Sequence, residues 1–187
     1  MTGHAADTIE RRALELRAAA NGSRIEGYAA VFNSDSADLG GFVETIRPGA
    51  FAAALRRGDD VRALYEHRGS AILGRTTSGT LTLREDAKGL WFGLDVANTT
   101  AERDVLESVG RGDITGASFG FRAIKDQWSR GTPHRRELIE VDVFEITITP
   151  SPAYAATVVS RRSLDAVSGA DRRLRLLDLI GGRYGLA

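Results

Sequence analysis

Ile114-Thr115-Gly116-Ala117-Ser118-Phe119-Gly120-Phe121-Arg122 is the stretch on which the reading of this chain turns. As a β-strand it sends alternate side chains to opposite faces. Thr115, Ala117, Phe119, Phe121 and the following Ala123 share one face, and the two aromatics make it the core face. Ser118 lies on the other, between Gly116 and Gly120. Glycine within a strand gives up packing and often marks close approach by another backbone or a ligand. A hydroxyl displayed this way is open to an extended peptide. An ordinary polar residue on a solvent face has the same pattern.

On either side the signals are those of helix and sheet. Upstream, Thr99 or Thr100 can cap a helix running to about Val109, with Glu102 well placed for its dipole and Gly110 and Gly112 to end it. Downstream, Lys125 to Pro133 is polar and reads as a mobile loop. Arg136 to Val141 and Val143 to Thr149 read as the last strands, stopped by Pro150-Ser151-Pro152. Further out, Thr80–Arg84 and Leu90–Val96 form a hairpin around the charged turn from Glu85 to Gly89. Val61–Glu66 and Ile72–Arg75 are short strands. Pro48 starts a helix that ends near Arg57, with Gly58 after it. Phe42–Ile46 is a strand, and the polar Asn33–Gly41 stretch before it a loop. Asn21-Gly22 is a tight-turn signal, so Ile9–Ala19 and Arg24–Phe32 read as a hairpin, with a helix as the other reading of the first segment.

The totals narrow the function classes. The length of 187 residues suits one domain of roughly 150 residues plus a tail. There are 25 Lys and Arg against 25 Asp and Glu. That balance speaks against a dedicated nucleic-acid binder, which needs excess positive charge to displace counterions. With no cysteine, disulfides and thiolate zinc sites are excluded. No His-Glu-x-x-His pair and no phosphate-cradling G-x-x-x-x-G-K-[ST] loop occurs, so neither metal nor cofactor is expected. No apolar run suggests a signal peptide or a membrane span. Residues 1–8 read as a disordered lead, 9–161 as the folded domain, and 162–187 as an arginine-rich tail whose Leu174, Leu177 and Leu179 suit an amphipathic helix.

Two further residues can do chemistry with Ser118. Of the three histidines, His67 stands at the end of an apolar strand, beside a glycine-containing turn. Glu145 lies within Val143–Thr149, on the face it shares with Thr147 and Thr149 and opposite Phe144, Ile146 and Ile148. A carboxylate so deep in a β-rich segment is disfavoured by propensity and asks for a partner. A serine hydroxyl becomes a nucleophile when a base within hydrogen-bond reach takes its proton, and the base needs a third group to orient it. Each residue taken singly also fits a purely structural role.

Together these pieces resemble the HK97-type prohead maturation proteases of tailed bacteriophages, distant relatives of the herpesvirus assemblins. The resemblance runs over roughly 25–159. It rests on Ile25-Glu26-Gly27-Tyr28-Ala29-Ala30-Val31-Phe32-Asn33, Arg47-Pro48-Gly49-Ala50-Phe51, Glu66-His67 with Leu73-Gly74-Arg75, Ser118-Phe119-Gly120-Phe121, and Glu145 with Pro152-Ala153-Tyr154. It implies an α+β fold, a mostly antiparallel β-barrel with surface helices like the assemblin barrel. It implies a serine endopeptidase with Ser118 as nucleophile, His67 as base and Glu145 as third member, Asp142 being the runner-up. Its substrates would be the scaffold or delta segment of the major capsid protein, and itself, inside the assembling prohead in the host cytoplasm. A homodimer and removal of the tail by self-cleavage are further expectations. Backbone N–H groups near Ser118, or Arg75, would stabilise the oxyanion. Arg68 departs from the family pattern, which often has aspartate after the histidine. The rival expectation is a catalytically silent capsid-assembly or scaffolding protein of the same fold.

Overall fold

Alternation in the serine strand carries on well beyond its apolar half. In the computed structural model, which describes residues 10–14, 19–21 and 23–150, this strand spans Gly116–Ser129. The expectation of a loop over Lys125–Pro133 is therefore corrected: the strand continues to Ser129 and only residues 130–133 connect it to the next. The polar residues of this distal half are mostly exposed or half-buried, yet the strand stays paired with its neighbour as far as Ser129. Near its end Trp128 packs on Phe42 with ring centroids 4.9 Å apart, which supplies the apolar contact that the segment itself lacks.

In chain order the elements are β1 (Glu10–Leu14), β2 (Ala19–Asn21), β3 (Arg24–Val31), β4 (Phe42–Ile46), α1 (Ala52–Arg57), β5 (Arg62–Tyr65), β6 (Ile72–Arg75), β7 (Leu81–Glu85), β8 (Gly89–Asp95), α2 (Thr100–Arg111), β9 (Gly116–Ser129) and β10 (His134–Thr149). The fold is α+β and dominated by strands. One sheet has the order β1-β9-β10-β5-β6, with β4 also on β10; the other is β2-β3-β8-β7. No closed barrel is found among the described residues. Pairing is antiparallel except where β10 meets β4 and β5.

Two further expectations change. The first segment does not form a hairpin with β3: β1 pairs with β9, and only the short β2 pairs with β3. The two strands expected at the end are one, β10, whose register against β9 shifts between Leu138 and Glu140, between Glu140 and Val141, and between Val143 and Glu145. These shifts preserve burial of Leu138, Val141, Val143, Ile146 and Ile148 despite their uneven spacing.

The core lies between the sheets. Phe119 stacks on Phe121 at 4.9 Å and meets the edge of Phe51 at 5.6 Å, and Phe51 stacks on Phe32. Phe51 precedes α1, which Gly58 ends at a φ of 69°. The Glu85 carboxylate accepts from the Gly49 and Phe51 backbone N–H groups, tying this corner to β7. The Thr99 side chain caps α2 by accepting from the Glu102 N–H, and Gly112, at φ 80°, closes it.

Candidate active site

Three adjacent strands deliver the candidate residues: β9 carries Ser118, β10 carries Glu145, and β5 ends just before His67. Because neighbouring strands sit about 4.8 Å apart, side chains on one face of such a trio can touch in sequence across it. Ser118 Oγ lies 3.0 Å from His67 Nε2, and His67 Nδ1 lies 2.7 Å from Glu145 Oε1. An ionised carboxylate only accepts, so the short contact puts the proton on Nδ1 and leaves Nε2 to accept from the serine hydroxyl.

His67 leaves its strand sharply. Glu66 and His67 have φ of 50° and 58°, the left-handed region that side-chain-bearing residues seldom occupy. Each such residue costs on the order of 1–3 kcal/mol. The turn is held by Arg68 N–H donating to the Tyr65 carbonyl at 3.0 Å and Glu66 N–H to the Ile148 carbonyl at 3.1 Å. The second bond extends the β5–β10 ladder just past the strand, so the imidazole swings back over β10.

Glu145 reaches the histidine because of two local features. First, Val143 pairs with Phe121 and Glu145 with Gly120, leaving Phe144 as the extra residue of a bulge. The expected grouping of Phe144 with Ile146 and Ile148 is thereby corrected: Val143 takes the buried place, and Phe144, half-buried, carries the Arg122 guanidinium over its ring at 5.3 Å. Second, a Cβ on Gly120 would lie 2.6 Å from Glu145 Cγ and 3.1 Å from Cδ. The bare backbone beside Ser118 thus accommodates the carboxylate of Glu145.

The site is largely closed. Ser118 and Thr147 are fully buried and Glu145 is 4% exposed, while the His67 side chain is 23% exposed. Thr147, opposite Ser118 on β10, brings its hydroxyl within 3.2 Å of His67 Nδ1; sharing a strand face with Glu145 is the one sequence signal that points to this contact. Asp142 is not at the histidine; it pairs with Arg57 at the surface. Arg75 forms a surface pair with Asp60, whose carboxyl the Arg75 hydrogen bond holds down at about 2. A cleft of about 390 Å³ opens beside α1, lined by Leu55, Val61, Thr76 and Leu83 among others, and contains none of Ser118, His67 and Glu145. Among the described residues no cluster of His, Cys, Asp and Glu could hold a metal, and no helix is long and apolar enough to cross a membrane.

With this geometry in view, residues 7–169 match the family model of the caudovirus prohead serine protease. The chain belongs to that family. A prohead serine protease is a capsid-maturation enzyme, and the family gives this member a capsid protein as its class of substrate. No curated protein and no solved structure matches the chain.

Proposed function

We propose that the chain is a serine endopeptidase in which Ser118 attacks, His67 moves the proton and Glu145 orients the imidazole. The continuous path from Oγ through the ring to Oε1, at 3.0 and 2.7 Å, carries this reading. His67 Nε2 takes the hydroxyl proton as Ser118 Oγ bonds to the scissile carbonyl carbon. Glu145 stabilises the resulting imidazolium. The imidazolium then gives its proton to the departing amine, and water, activated by the same base, releases the acyl group from Ser118. Thr147 helps to hold the ring by its contact at Nδ1.

The substrates on this reading are the scaffold or delta segment of the major capsid protein, and the chain itself, inside the prohead within the host cell. Family membership supports the capsid substrate; the arginine-rich residues 162–187 are the proposed self-cleaved tail. An assemblin-like barrel is likewise proposed, supported by the packing of β9 and β1 against β3 of the other sheet. A second reading, a silent assembly protein with the same fold, draws on one observation: the full burial of Ser118.

Co-expression with the major capsid protein tests both. Shortened capsid chains with the unaltered protein, and full-length chains with Ser118→Ala, are expected. Full-length capsid chains in both cases would favour the silent reading. Intact-mass analysis of the same two preparations would show any self-cleavage and place the cut.

A further inference from the structure

The edge of β9 beside Ser118 is occupied. β1 runs antiparallel along it, with Ala13 opposite Ser118, Arg12 opposite Phe119 and Glu10 opposite Phe121. β10 covers the other side, so β9 offers no free edge at the serine. The anchorage of β1 is ionic. Arg12 pairs with Glu10 at 2.8 Å and, through Nε, with Glu44 on β4 at 2.7 Å. Arg136 on β10 pairs with Glu10 at 2.5 Å, with Glu44 at 3.1 Å and with Asp126 at 2.7 Å. Glu10, Arg12, Glu44 and Arg136 are all at most 5% exposed.

Removing β1 from this picture leaves a shelf with a defined chemistry. One wall is a strand edge with main-chain donors and acceptors. Its floor holds Glu44, which takes a cation, Arg136, which takes an anion, and the face of Phe121, over which the Arg12 guanidinium sits at 5.3 Å. Residues two apart on a strand share a face, so the complementary ligand is an extended peptide with an acid at one position and an arginine two further on. Buried charge pairs hold well when complete but add little net stability over the separated, solvated groups. A second strand with the same pattern can therefore restore every contact that the first gives up.

We propose that the β9 edge is a binding groove for an extended peptide of the pattern acid-x-arginine, and that residues 10–14 are its resting occupant, closing the edge next to Ser118. Resting on the proteolytic reading above, the incoming strand is the peptide substrate, which exchanges with β1 by strand addition.

The test uses the full chain carrying Ser118→Ala, with or without Arg12→Ala, and a fluorescent peptide of residues 7–17 followed by anisotropy. Binding at least tenfold tighter to the Arg12→Ala protein is expected, as is loss of that binding when the peptide's own acid and arginine become alanine. Equal affinity of both proteins, or indifference to the altered peptide, overturns the proposal. Should Arg12→Ala not fold, amide exchange of the unaltered chain decides: residues 10–14 should exchange at least tenfold faster than 145–149, and matched rates overturn exchangeability. These readouts need no catalysis. An absence of capsid cleavage would sink the proteolytic reading and leave the groove to be judged by binding alone.

Discussion

At Gly120 the difference between a hydrogen and a methyl decides where a carboxylate can lie. Gly120→Ala would place a Cβ 2.6 Å from Glu145 Cγ, and the neighbouring ladder leaves the backbone little room to yield. A displacement near 1 Å in a proton-transfer array costs on the order of 100-fold. On the proposed mechanism, kcat should fall by that amount in Gly120→Ala with KM nearly unchanged. An unaltered kcat in a folded variant would show that Glu145 need not be where it is. Thr147→Val keeps shape but loses one hydrogen bond worth about 1 kcal/mol, so kcat should drop roughly five- to tenfold. The types of these residues were legible in the sequence, since only so many groups can activate a hydroxyl. The role of Gly120 was not: a glycine that admits a ligand and one that admits a neighbouring side chain look the same in one dimension.

Among the elements, β1 and α2 make opposite demands on the solvent. The buried pairs of β1 need their carboxylates ionised. Burial by itself raises the Glu10 carboxyl, but the hydrogen bond and charge of Arg136, together with Arg12, outweigh it and bring it below its ordinary 4.5. A carboxyl depressed in the folded state stabilises the fold above its unfolded value and loses that contribution as the pH falls through its lowered one. Urea midpoints should therefore hold steady down to about pH 4.5 and decline below it, and Glu10→Gln should flatten the decline. At the exposed start of α2, Thr99→Ala should cost about 1 kcal/mol, readable as a shifted urea midpoint with an unchanged slope. The helix and its capping residue types were legible in the sequence, because a threonine before a helix and a glycine after it act locally, but the choice of Thr99 over Thr100 and the run past Gly110 to Arg111 were not. The destination of β1 was hidden, because a strand's partner is chosen by long-range fit, and residues 10–14 and 117–121 are about a hundred positions apart. The bulge at Phe144 was hidden likewise: strict alternation is the default, and only the pairing with β9 shows where it slips.

Over the whole molecule, stability comes from the aromatic seam between the sheets. Phe51 is fully buried between Phe32 and Phe119, so Phe51→Ala should cost about 3–5 kcal/mol. Chemical denaturation would check it, and a loss under 1 kcal/mol would mean that the seam is not the core it resembles. The apolar face of the serine strand was readable from periodicity, and the α+β class followed from the family resemblance. The division of the strands into two sheets was not, since alternation says which face is inside and nothing about which sheet a strand joins. Ser118, Glu145 and the turn bearing His67 sit on three strands side by side, so the reacting groups are spaced by the hydrogen-bond ladder. Heating then has no half-measure available to it: the curve of lost activity and the calorimetric melting curve should superimpose, with no temperature interval in which the chain is intact yet idle.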